Sequence, residues 1–484
     1  MLKKIYASFI NKLSSPTSAL RQVSLVAGGT VIAQTLNVIT LPLLSRIYSP
    51  ADFGVMAVYS SVVAILTELA GLRYYLAIPL PKHTRYAHAL VCLSFIIQII
   101  VVAVMTVVLF ICGDYIFEKL SLTSLIKYKY LLPIGVLAIG FYNVASQWAI
   151  REALFTSLGK TKMSQAFSGF IAKFTLGILG IKPLGLIAGV IIGQAGGTSV
   201  LMRDLLHKKR LDLNKKLMCR VMIRYRNFPI YNTWTGMLNT FGTYMPQLLL
   251  SSIYNIRFAG LYSMASSLLS VPTVFVGNAI GQVFLQKASV AKYAGNLPVL
   301  SLKSYILLLQ IGVFPIIALS MIAPPLLTIV LGKQWAECGY YALAISPWIA
   351  YVFAVSHMAN IFSILNLQKQ AFLFEICYVL ARVISFYLGR MLFASPIMSV
   401  FLFSLSNCLL LFFKMIYIFH RLGISSTELI LCTLRVVSEG LFLSAFVWFG
   451  VIMNNIFVIV SAAVVTSVLY LYQTYKKCRL FGLV

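Results

Sequence analysis

Charge is what this sequence has least of. Only 10% of its 484 residues are charged, and just 11 are acidic. A soluble domain carries about 25% charged residues. That scarcity, together with 60% hydrophobic residues, excludes a soluble globular chain. Short alternating polar and apolar segments are lacking too, which argues against a membrane barrel. The eight cysteines contain no CxxC pair, so neither a metal site nor a disulfide framework is indicated. No grouping of nucleophile, base and acid stands out, and the five histidines are dispersed. Gly159-Lys160-Thr161 is no phosphate loop, because Leu154 stands where the first glycine would be. Residues 1–22 lack the long apolar core of a cleaved leader. Ile5, Phe9 and Leu13 share one helical face there, which fits a short interfacial helix as well as a solvated tail.

What is present is a succession of apolar runs of about 20 residues, each long enough to cross a ~30 Å hydrocarbon layer as a helix. They predict an all-α integral membrane protein with about 14 spans. The organisation expected is an N-terminal segment 1–22, six spans over 23–202, a basic linker 203–227, six spans over 228–418, two more over 437–473, and a tail 474–484. A formal charge of +28 in a soluble chain would point to nucleic acid. Here most of the 39 Lys and Arg sort into short loops on the side of the N-terminus. Orientation explains them, with both termini and the linker in the cytoplasm, and no nucleic acid partner is expected. The loops on the opposite side leave no room for an outer catalytic domain, so the chain is expected not to be an enzyme and to need no cofactor.

The stretch from Gln34 to Lys82 organises the rest: two apolar helices meet at the corner Tyr48-Ser49-Pro50-Ala51-Asp52. Ile47-Tyr48, then Gly54, Ser60 and Ser61, returns as Ile253-Tyr254, then Gly260, Ser266 and Ser267, which predicts two related halves. Polar residues recur at helical spacing within spans: Thr30, Gln34 and Asn37; Asn143, Gln147 and Arg151; Asn239, Thr243 and Gln247; Asn278 and Gln282. Together they fit the lining of a shared aqueous cavity better than isolated interhelical bonds. Gly185, Gly189, Gly193 and Gly197 form a stripe read as a packing seam. His357 is expected to be packed and hydrogen-bonded beside Asn360.

Ionisable side chains within spans are the sharper signal, since a mid-bilayer charge costs about 2.5–3.5 kcal/mol. Lys173 and Arg382 fall mid-span, and Glu375 lies on the same helical face as Arg382, two turns away. Glu68 lies deep in the second span. Arg73 and Lys414 lie nearer the cytoplasmic ends, and Lys414 is expected to snorkel. The surplus is cationic, which suits an anion such as phosphate, whose oxygens arginine binds in pairs. Glu68 and Glu375 are candidates for ion or proton coupling, or equally for balancing a neighbouring cation.

The segment LPLLSRIYSPADFG, followed by an apolar helix and a basic turn, resembles the opening of the Wzx-type polysaccharide flippases. These belong to the MOP superfamily with the lipid II flippases and MATE multidrug exporters. The run LGLIAGVIIGQ resembles their corresponding sixth helix. The resemblance implies two six-helix bundles in a V shape, an N-lobe and a C-lobe, with two peripheral helices. It implies a substrate, an undecaprenyl-diphosphate-linked oligosaccharide, moved by alternating access across the bacterial inner membrane for O-antigen, capsule or exopolysaccharide synthesis, with H+ or Na+ as a coupling ion. A glycan polymerase and a chain-length regulator are the partners implied. Related lipid flippases hold the diphosphate with arginines in the first, second and eighth helices. Arg46 and Arg73 lie in comparable regions, whereas Arg257 falls in a corner and nothing basic lies within the eighth helix. A MATE-like exporter of cationic drugs is the alternative, and it should present acids rather than Lys173 and Arg382 to its cavity.

Overall fold

The computed structural model describes residues 19–208, 214–274, 284, 288, 291, 295–358, 361–362, 365, 367–453, 458, 461–462, 464–470 and 474. Asn278 and Gln282 of the polar stripes, Asn360, and part of the expected last span lie outside the described residues. All regular structure among the described residues is helical. Ten of these helices are long and apolar enough to cross a membrane, and the chain is a multi-pass membrane protein.

In chain order the helices are α1 (Ala19–Ile47), α2 (Pro50–Ala70), α3 (Thr84–Lys119), α4 (Leu131–Arg151), α5 (Phe155–Ile178), α6 (Leu184–Lys208) and α7 (Lys215–Arg224). They continue as α8 (Thr233–Ile253), α9 (Ile256–Leu269), α10 (Leu297–Leu331), α11 (Cys338–Val355), α12 (Gln368–Phe393), α13 (Pro396–Arg421) and α14 (Ser426–Ile452). Two run furthest past the lengths read from hydropathy. α3 has 36 residues and α10 has 35, and at 1.5 Å per residue each runs about 50 Å, well past the hydrocarbon layer.

The α1–α2 corner follows from its sequence. Asp52 N–H donates to Ser49 Oγ at 3.2 Å, and Ser49 N–H donates to Asp52 Oδ2 at 2.8 Å. Pro50 supplies the first helical residue, so the helix start is fully capped. The repeat-related corner between α8 and α9 is capped by Asn255, whose Oδ1 accepts from Arg257 N–H at 3.0 Å. The matching glycines are explained by contact between the two corners. A Cβ on Gly54 would fall on the Ile256 carbonyl, and one on Gly260 on the Pro50 carbonyl and the Gly54 nitrogen. The two backbones touch, so neither side can yield. Gly260→Val is expected to destabilise the protein by about 1–3 kcal/mol through overpacking. The measurement is the thermal midpoint and monodispersity of detergent-solubilised protein.

The glycine stripe is the seam between α5 and α6. A Cβ on Gly189 would meet the Lys173 stem and the Gly169 carbonyl, and one on Gly193 the Gln165 carbonyl. The close approach also brings Ser164 Oγ to the Gly196 carbonyl at 3.1 Å and Gln165 Nε2 to Gln194 Oε1 at 3.0 Å. Small residues are what membrane helices use for such packing, because apolar burial alone gives no preference for protein over lipid.

The chain divides into two compact units, 1–260 and 261–484. Helix α8, read from the sequence as the opening span of the second lobe (228–418), is grouped with the first unit because it lies along α2. Within the second unit, α10, α11, α13 and α14 pack together. They hold a buried polar knot in which the Tyr305 hydroxyl bonds the Tyr351 hydroxyl at 3.0 Å and Thr433 Oγ1 at 2.9 Å.

Candidate functional site

In the first unit the candidate residues gather on α2, its C-terminal turn, and α8. The chain leaves α2 through Leu72 and Arg73, both left-handed with φ of 43° and 53°. Such a conformation costs a non-glycine residue about 1–2 kcal/mol. It turns Arg73 back along the helix, so that Nε donates to Glu68 Oε2 at 2.5 Å. Thr240 on α8 donates to the other oxygen, Glu68 Oε1, at 3.1 Å. The guanidinium lies on Gly236 of α8, where a Cβ would overlap it. Two turns nearer the corner, Ser61 Oγ donates to Gln247 Oε1 at 2.5 Å. Arg73 and Glu68, singled out separately as a cavity cation and a coupling carboxylate, are therefore partners in one ion pair tied to α8.

The pair is 22% and 17% exposed, between the surface and fully buried limits. Glu68→Ala, which strands the guanidinium, is expected to cost about 1–3 kcal/mol. Adding Arg73→Ala should recover most of that loss, with thermal midpoints of the single and double variants as the measurement.

Lys173 is different. Its stem lies against Gly189 and its own carbonyl accepts from the buried Tyr48 hydroxyl at 2.7 Å. Its ammonium makes no ion pair with a described residue. Arg46 is exposed in the last turn of α1. Arg151 is spent on backbone: its Nη1 donates to the carbonyls of Ile78, Pro79 and Pro81 at 3.3, 3.4 and 2.7 Å. It clamps the loop before α3.

Of the polar stripes, Gln34, Asn143, Gln147 and Gln247 are half-buried, while Asn37, Asn239 and Thr243 are exposed. The Thr243 hydroxyl returns to the Asn239 carbonyl at 2.9 Å. One buried amide escaped the sequence reading. Gln98 of α3 is 1% exposed and donates from Nε2 to the Val136 carbonyl at 3.1 Å, in space left by Gly140. A lone glutamine in an apolar run was the available signal.

In the second unit Arg382 on α12 donates from Nε to Asn407 Oδ1 on α13 at 2.6 Å. Asn407 is 1% exposed and donates in turn to the Phe403 carbonyl at 2.7 Å. The guanidinium carbon lies 5.6 Å from the centroid of Tyr378 and 5.9 Å from those of Trp348 and Phe403. These are cation–π distances. Glu375, expected to face Arg382, reaches across to Lys414 Nζ at 3.4 Å instead. Lys414, expected to snorkel, is 9% exposed, with its ammonium 5.2 Å from both the Phe362 and Tyr378 rings. Facing helices, not the spacing along α12, decide the pairing. His357 is packed as expected, 2% exposed with its ring edge-on to Phe284 at 4.8 Å, but neither of its nitrogens has a hydrogen-bond partner among the described residues, and Asn360 lies outside them.

Among the described residues Glu68 is thus paired with Arg73 in the first unit and Glu375 with Lys414 in the second, whereas the mid-span Lys173 and Arg382 have no carboxylate in contact.

Residues 43–340 match the model of a family described as polysaccharide biosynthesis protein. A curated relative, the succinoglycan biosynthesis transport protein ExoT of Rhizobium meliloti (strain 1021), is 25% identical over 336 residues, covering 66% of this chain and 65% of its own length. The match therefore spans just under two thirds of that relative. Among solved structures, the lipid II flippase MurJ in an inward closed conformation superposes with a TM-score of 0.77 at 12% identity, covering 94% of this chain and 99% of that one. An outward-facing MATE family multidrug resistance transporter gives 0.56 at 12% identity, covering 83% and 95%. The fold is that of MurJ and the MATE transporters.

Proposed function

We propose, since this chain belongs to the polysaccharide biosynthesis protein family, that it is a flippase for an undecaprenyl-diphosphate-linked oligosaccharide. It acts in the bacterial inner membrane with both termini in the cytoplasm. The observation that carries the reading is that one intramembrane cation in each unit, Lys173 in the first and Arg382 in the second, has no carboxylate in contact among the described residues. Retaining such charges is costly unless an anion or water meets them, and a diphosphate is the anion that a lipid-linked sugar brings. Lys173 offers it a point charge and Arg382 a planar fork, each within its own unit. In the first unit Arg73, exchanging Glu68 for phosphate oxygens, and the exposed Arg46 are the further cations of this reading, with Arg151 assigned to the loop clamp.

Gln34, Asn37, Asn143, Gln147, Asn239, Thr243 and Gln247 offer amide and hydroxyl groups to sugar hydroxyls. The headgroup crosses while the lipid tail stays in the bilayer, as in other alternating-access carriers. H+ or Na+ is the coupling ion of this reading, acting on Glu68 or Glu375, and a polymerase with its chain-length regulator takes the product. Both carboxylates are held by cations, which weighs against a carrier of cationic drugs.

The test is reconstitution in vesicles with a labelled lipid-linked oligosaccharide. Transfer from one leaflet to the other, enhanced by an imposed ion gradient, is the result expected. No transfer with or without a gradient rejects the reading.

A further inference from the structure

A second basic site lies outside the spans. The loop before α3 and the linker helix α7 flank a half-open cavity of about 800 Å³, lined by Lys82, His83, Arg220 and Arg224 together with Tyr86 and Tyr225 and, among the described residues, by no acid. Its walls are built rather than incidental. Val221 of α7 is fully buried against a cluster containing Tyr74, Ile78 and Trp148, and the Tyr74 hydroxyl donates to the Met222 carbonyl at 3.2 Å. The opposite wall, residues 78–81, is the loop that Arg151 grips through three carbonyls.

Arg220 and Arg224 stand one helical turn apart and so share a face, where like charges repel. Neither has an acidic partner among the described residues. Beside them Met222 and Ile223 are 42% and 64% exposed, an apolar flank to the basic mouth. Guanidinium pairs with nearby hydroxyls are the chemistry that recognises phosphate oxygens.

We propose that this cavity binds a phosphate-bearing ligand, with Arg220 and Arg224 as the principal contacts and Lys82 and His83 closing the opposite side. The assignment holds whatever the spans carry, because it is read as binding and not as transport. The same chemistry could be offered by a membrane lipid headgroup or by a soluble phosphate, so the experiment has two arms. Full-length protein in detergent is titrated with inorganic pyrophosphate by thermophoresis, and its retention of phosphatidylglycerol against phosphatidylcholine is counted by native mass spectrometry.

Binding in either arm, weakened at least tenfold by R220Q/R224Q in protein of unchanged gel-filtration profile, supports the site and identifies the source. K215Q removes a charge from the side of the same helix turned away from Arg220 and should leave binding intact. No binding in either arm, or an equal loss with K215Q, overturns the proposal.

Discussion

Replacing Lys173 with Met is expected to abolish surface glycan, by tenfold or more, while the amount of protein in the membrane stays level or rises. The two effects separate because Lys173 contributes nothing evident to folding. Its ammonium has no ion-pair partner among the described residues, and a mid-bilayer ammonium costs about 2.5–3.5 kcal/mol. Met preserves the unbranched stem that lies against Gly189, so packing between α5 and α6 is retained while the charge is removed. A variant that gains stability and loses activity marks a residue kept for function at structural expense. Glycan display and immunoblot quantification on the same cells provide the measurement. Normal glycan from Lys173→Met would take this residue off the substrate route.

Arg382→Lys should be nearly as damaging as Arg382→Ala, although it keeps the charge. The guanidinium is held as a plane, bonded through Nε to Asn407 and placed 5.6–5.9 Å from three ring centroids. A lysine ammonium cannot occupy that geometry and still present two parallel donors to a phosphate. It would also leave Asn407 Oδ1, buried at 1% exposure, without its donor, a loss of about 1–3 kcal/mol. A tenfold or greater fall in transport in vesicles, with a lower thermal midpoint, is the expected result for Arg382→Lys. Full transport by the lysine variant would mean that charge alone is used and that the planar fork is irrelevant.

Much of the architecture could be read along the chain. Helix-length apolar runs placed most spans, and the Ser49-Pro50-Ala51-Asp52 cap announced the start of α2. The stripe of glycines in α6 marked a seam before its partner was known. The repeat residues Gly54 and Gly260 were visible as echoes, but that they are glycines because two corners touch backbone to backbone was not. The candidate site was legible as a set of residue types and not as a set of contacts. Glu375 was matched to Arg382 by its position on one helix, and the structure pairs it with Lys414 from the next. Arg151 lay on a polar stripe and was counted with the cavity, yet it spends its donors on carbonyls of another segment. Asn407, now seen to hold Arg382 in place, gave no sign of its role.

By itself the sequence determined that this chain lives in a bilayer, that it crosses many times as helices, and that it sinks more positive than negative charge there. Those are properties of short windows, and the energy of moving a window from water to hydrocarbon is a sum over its own residues. Only the tertiary structure decided which of these cations meet a carboxylate. That choice depends on the rotation of each helix and the identity of its neighbour, and it gives Glu375 to Lys414 of the facing helix rather than to Arg382 of its own.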